Sequence, residues 1–227
     1  MNKPLTLLIH GLHMHGIYMA PLARNLTKVG FSCQTFSYNS LTKSIDVHSK
    51  DLHAWLTHHH DGSPINLVGH SLGGLIIRHF VATYGHHWHV HRCVSLGTPH
   101  QGSICASYAH RLCPPLIGQS YLHALDGNCV ALPSNIVFGA IAGTRPLGLG
   151  LPVLGYHSKK HRLSSEARQN DGTVYLSETY LPTFSDYLVL PVNHTGFLTN
   201  KTVAKEIVHF LEHGRFSQSS PPPHHEP

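Results

Sequence analysis

The stretch that decides the fold is Ile65-Asn66-Leu67-Val68-Gly69-His70-Ser71-Leu72-Gly73-Gly74-Leu75-Ile76-Ile77. Its first four residues are a short apolar run, read as a strand buried on both faces. From Leu72 the apolar residues take helical spacing, with Leu75, Ile76, His79 and Phe80 on one face of a helix over 72–84. Between the two lies G-x-S-x-G. A serine there sits on a sharp, strained strand-to-helix turn, with its hydroxyl exposed above the sheet edge. Small residues two before and two after it let the chain turn without clashes. The helix N-terminus below favours developing negative charge. Ser71 is therefore the candidate nucleophile.

A serine hydroxyl is a weak nucleophile without a base, and the base needs an orienting carboxylate. On such an elbow the partners follow in the order acid, then histidine. Asp171, in Asn170-Asp171-Gly172-Thr173-Val174, is the candidate acid, because it lies in a turn after the fifth strand and its loop. Asp126 precedes that strand, Asp186 begins the sixth, and Glu206 and Glu212 lie on the last helix. His194, in Val192-Asn193-His194-Thr195-Gly196, follows the last strand at its carboxyl end, where open parallel sheets build their sites. His209 and His213 fall on the closing helix and His224 and His225 in the tail, so position selects His194. An oxyanion needs preorganised N–H donors. Leu72, next to the nucleophile, supplies one, and Leu12, in the glycine-containing loop after the first strand, supplies the other.

Outward from the elbow, strands are expected at Leu5–Ile9, 31–38, Val90–Leu96, 136–142 and 187–192, and helices at 19–29, 44–58 and 202–213. Alternating strands and helices argue for βαβ units in a mostly parallel sheet of about six strands. Residues 103–134 interrupt the alternation and read as a short cap insertion; 145–170 reads as a long loop, glycine-rich and then basic. Residues 1–216 are taken as a single domain, and the Ser/Pro/His-rich 217–227 as a disordered tail.

Composition sets bounds. With 227 residues, 41% hydrophobic and 12% charged, disorder of the main body is excluded. Histidine is out of proportion, at 24 against 16 Lys+Arg and 11 Asp+Glu. These imidazoles are expected mostly at surface positions; metal binding and pH sensing are the competing readings. The runs His58-His59-His60 and His86-His87 lack the spacing of a tetrahedral metal site, so no metal or other cofactor is expected. The pI near 9 is compatible with transient contact with a membrane surface. No Lys/Arg cluster longer than Lys159-Lys160-His161-Arg162 points to nucleic acid. Five cysteines without metal spacing read as scattered thiols. No signal peptide or apolar run of membrane-spanning length is apparent, which makes the cytoplasm the default location. Oligomeric state is left open.

Taken together, Leu8-Ile9-His10-Gly11-Leu12, Gly69-His70-Ser71-Leu72-Gly73-Gly74, Gly97-Thr98-Pro99-His100-Gln101-Gly102-Ser103, Asn170-Asp171-Gly172-Thr173-Val174 and His194 resemble the α/β-hydrolases, within them the bacterial lipases and esterases. The resemblance runs from near the N-terminus to His194. It implies an α/β-hydrolase fold, a triad of Ser71, Asp171 and His194, an oxyanion hole at Leu12 and Leu72, and cleavage of carboxylic esters through an acyl-enzyme. His10, Gly11, His70 and His100 are expected to face the substrate, a small-molecule or lipid ester. Lipase, phospholipase, thioesterase and acyltransferase chemistry use the same triad and stand as alternatives. The chain departs from the family in three ways. It starts at the strand before the oxyanion loop, so the family's first two strands are not expected. Gly196 stands where secreted bacterial lipases carry a calcium-binding aspartate, so that calcium is not expected. The cap is short, which favours an esterase over a lipase activated at an oil interface. Leu116, Ile117, Leu122, Leu147, Leu149, Leu151 and Val153 either pack as an ordinary cap, line an acyl pocket or face a membrane.

Overall fold

The computed structural model describes residues 3–223. Six strands, β1 (Leu5–Ile9), β2 (Cys33–Phe36), β3 (Ile65–His70), β4 (Val90–Leu96), β5 (Phe138–Gly143) and β6 (Asp186–Leu190), form one sheet in the order β2-β1-β3-β4-β5-β6. Every pairing is parallel. Parallel strands need crossovers, so both faces are covered by helices and the strands read as apolar runs. Along β1, Leu7 and Ile9 enter one core and Leu8 the other. The first core is completed by α2 (Ile45–His59) and α3 (Leu72–Thr83). The second is completed by α1 (Ala20–Thr27) and α6 (Lys201–His213), through Leu22, Leu26, Val203, Ile207 and Phe210.

The insertion expected over 103–134 carries α4 (Ile104–Leu112), which is N-capped by Ser103 Oγ accepting from the Ala106 N–H, and then short 3₁₀ and π turns. The stretch 145–170, expected to be loop, contains a helix, α5 (Leu151–Lys160). Only Leu154 and Ser158 of α5 are buried, and Pro152 and Gly155 weaken its helical signature, so no apolar stripe announced it. The tail is also less free than its composition suggested. The Ser217 N–H donates to Glu206, the Ser220 N–H donates to the Tyr187 carbonyl, and Ser220 Oγ accepts from the Val189 N–H. Hydrogen bonds to β6 and α6 are a tertiary property that low-complexity composition does not reveal. The rest of the tail, 224–227, lies outside the described residues. Among the described residues no helix is long and apolar enough to cross a membrane.

Arg78 ties the insertion to the core. From the middle of α3 its guanidinium donates to three carbonyls, those of Val130 (2.6 Å), His100 (2.7 Å) and Cys129 (2.9 Å). Methionine would fill much of the same volume but would leave those carbonyls without donors. Arg78→Met should therefore cost about 2–4 kcal/mol, read as a lower urea midpoint at unchanged slope.

Candidate active site

Ser71 sits between β3 and α3 with φ +53° and ψ −121°, a region that residues with a Cβ seldom occupy. The surroundings hold it there. The Ser71 N–H donates to the Leu96 carbonyl (2.9 Å), and the Ser71 carbonyl accepts from Thr98 Oγ1 (2.8 Å). The elbow requires glycine on both sides for a measurable reason. A Cβ on Gly69 would stand 2.5 Å from the backbone of Gly73 and Gly74, and one on Gly73 would stand 2.3 Å from the Ile9 carbonyl oxygen. Leu72 is the first residue of α3, so its N–H is among those that no helical carbonyl can reach.

The acid and base come from loops at the carboxyl ends of β5 and β6. Asp171 is buried, and its Oδ1 accepts from the Thr173 and Val174 N–H groups at 2.9 and 2.8 Å. This leaves Oδ2 for His194, whose Nδ1–H donates to it at 2.7 Å. The His194 N–H also donates to the Asp171 carbonyl (2.9 Å), so backbone and side chain are fixed together. With Nδ1 carrying the proton, Nε2 is left as the basic atom. Ser71 and His194 line the same cleft, about 880 Å³ in volume, with Gly11, Leu12, Met14, Ile17, Tyr18, Leu149 and Leu198 among its walls. Its surface is mostly apolar, with Ser71, His70 and His194 among its polar groups.

The residues expected to face substrate divide. Gly11 and His70 line the cleft. His70 is also the floor under His194: its Nε2–H donates to the His194 carbonyl (2.8 Å), and the two rings lie 4.8 Å apart. Burial first, and then the neighbouring His194, push His70 down to about 3, which keeps it neutral. His10 and His100 correct the expectation, since neither lines the cleft and both are buried. His10 stacks on Tyr38 with centroids 4.2 Å apart, and Tyr38 Oη donates back to the His10 carbonyl (2.8 Å). His100 is bonded to Ser95 Oγ (3.0 Å) and lies edge-on to Phe138 and Phe184. Both are apolar-packed rings that hold loops in place. Their motifs put them in sequence next to the site, but the side chains turn inward.

The sequence reading missed Tyr38, which stacks on His10, and Ser40, whose Oγ accepts from the His13 N–H (3.0 Å) and so helps shape the Leu12 loop. It also missed the cleft lip of Met14, Ile17 and Tyr18 and the wall residue Leu198. Nothing local marks these residues, because their position follows from packing. The expectation of surface histidines also needs amending: besides His194, the side chains of His10, His48, His70, His79 and His100 are buried. Among the described residues no group of three or more His, Cys, Asp or Glu could hold a metal ion, and the five cysteines are free thiols.

The fold has well-matched neighbours. The Bacillus licheniformis lipase BlEst2 in its mature form superimposes with a TM-score of 0.75 at 19% identity, covering 92% of each chain. The metagenomic carboxyl esterase MGS0156 superimposes with a TM-score of 0.68 at 13% identity, covering 93% of this chain and 76% of that one. At such identities these likenesses establish the α/β-hydrolase fold alone. Among curated proteins no sequence matches. The family model of palmitoyl protein thioesterase matches residues 8–134, a span that holds Leu12, Ser71 and Leu72 and ends before Asp171 and His194. With more than half of its length matched to that model, the chain belongs to the palmitoyl protein thioesterase family, a hydrolase family of esterase, lipase and thioesterase type.

Proposed function

We propose that this protein is a serine hydrolase of carboxylic esters, working through Ser71, His194 and Asp171. The observation that carries the reading is the strained Ser71 in one cleft with a histidine whose other ring nitrogen is bonded to a buried carboxylate. His194 Nε2 takes the Ser71 proton as Oγ attacks the acyl carbonyl. The Leu12 and Leu72 N–H groups stabilise the oxyanion. His194 then protonates the leaving group, and water activated by the same nitrogen releases the acyl group. Asp171 holds the tautomer and stabilises the imidazolium, and His70 positions the His194 backbone. No step calls for a cofactor.

A second reading, hydrolysis of long-chain acyl thioesters, is favoured by the family match and by the apolar walls of the cleft. The substrate is then an acyl lipid or acylated thiol, and the chemistry is otherwise the same. The free thiols fit a reducing compartment such as the cytoplasm. Hydrolysis of p-nitrophenyl esters from acetate to palmitate, beside palmitoyl-CoA, tests both readings. A short-chain ester optimum supports the first, and preference for the thioester supports the second. Absence of turnover on every substrate, with no fluorophosphonate labelling of Ser71, overturns both.

A further inference from the structure

The cap side of the molecule is apolar and basic at once. Among the described residues, Leu112 (83% exposed) on α4, Tyr156 (58%) on α5 and Leu149 (99%) just before α5 are exposed apolar side chains. Over residues 107–165 the sequence has five Lys/Arg and a single carboxylate, Asp126. That carboxylate is engaged by the His123 and Asn128 N–H groups.

The two properties meet in one groove of about 480 Å³ between α4 and α5. Tyr108, Leu112, Val153 and Tyr156 line it together with the cations Arg111 and Lys160. Lys159 is exposed beside Lys160. One wall of the groove, α5, follows closely in the chain on a residue of the active-site cleft. Leu149, which lines the cleft with Ser71, precedes α5 by two residues, and the ten residues of α5 span about 15 Å.

We propose that this face docks the protein on an anionic lipid bilayer, so that the cleft mouth at Leu149 opens toward the membrane surface. Apolar side chains together with cations suit the boundary between acyl chains and anionic headgroups. The clustering of charge of one sign argues against a second copy of the chain as the occupant, since two such faces would repel. The inference deepens the hydrolase reading by naming where the acyl substrate is met, but binding itself does not depend on turnover.

The test is co-sedimentation with vesicles of phosphatidylcholine alone or with roughly 30 mol % phosphatidylglycerol, using the full chain and its Ser71→Ala form. The protein should sediment with the anionic vesicles only and be released by high salt. The double charge reversal Lys159→Glu/Lys160→Glu should weaken partitioning on the order of 30-fold. It should leave hydrolysis of a soluble short-chain ester unchanged, which also reports an intact fold. Leu112→Ser should weaken partitioning severalfold. Equal binding to both vesicle types, no binding, or indifference to these variants overturns the proposal. So does a concentration-dependent dimer abolished by Leu112→Ser. Vesicle binding by a chain inactive on every ester would sink the catalytic reading and leave the docking surface standing.

Discussion

Ser71→Ala should lower kcat by on the order of 10⁶ if the three side chains act as a unit, with no loss of fold. Alanine keeps the Cβ, so it inherits the same strained backbone at φ +53° and neither relieves nor adds to it. The hydrogen bonds of the residue 71 backbone with Leu96, Thr98 and Gly74 do not involve the hydroxyl. The thermal midpoint should therefore stay close to that of the parent while turnover disappears. Asp171→Asn gives a graded companion. Its Oδ1 could still accept from Thr173 and Val174, but an amide facing His194 would favour the wrong tautomer, at a cost on the order of 10⁴ in kcat. Parallel esterase assays of both variants check the assignment. Substantial activity in Ser71→Ala would remove Ser71 as the nucleophile.

Acid should destabilise this protein more steeply than its carboxylate count suggests. His70 is held near 3 in the folded chain and returns to about 6.5 when unfolded. Above pH 6.5 both states are neutral and the group contributes nothing. Between 6.5 and 3 the unfolded chain binds a proton that the folded one refuses, so stability falls as pH falls. At pH 5 this one residue costs about 2 kcal/mol. Burial lowers His10, His48, His79 and His100 in the same direction, His48 to about 4. Glu178 acts in the opposite sense. Burial raises it to about 8, so its contribution fades as pH rises from about 4.5 to 8 and recovers in acid. Five histidines outweigh one carboxyl, and typical domain stability is only about 5–15 kcal/mol. Urea midpoints measured from pH 7.5 to pH 5 should fall steadily. A flat profile would mean that these imidazoles take up protons without unfolding the chain.

The sequence by itself determined the parts whose causes are local. The run into Gly69, the serine, and the helical spacing after Leu72 specify a strand, an elbow and a helix within about a dozen residues, and the structure places them there. Apolar runs separated by amphipathic stretches specify a parallel sheet, because only strands covered on both faces need be apolar throughout. Chain order and position past the fifth and sixth strands singled out Asp171 and His194, which the structure brings to 2.7 Å.

What only the tertiary structure decided are relations between distant segments. Whether a histidine beside the motif faces the cleft, as His70 does, or turns inward, as His10 and His100 do, depends on which aromatic or hydroxyl neighbours the fold delivers. The cleft lip at Met14, Ile17 and Tyr18, the helix α5 and the tail's hydrogen bonds to β6 and α6 have no strong local signature. They exist because sheet register and helix packing bring together residues far apart in sequence, and the same packing forms the groove between α4 and α5.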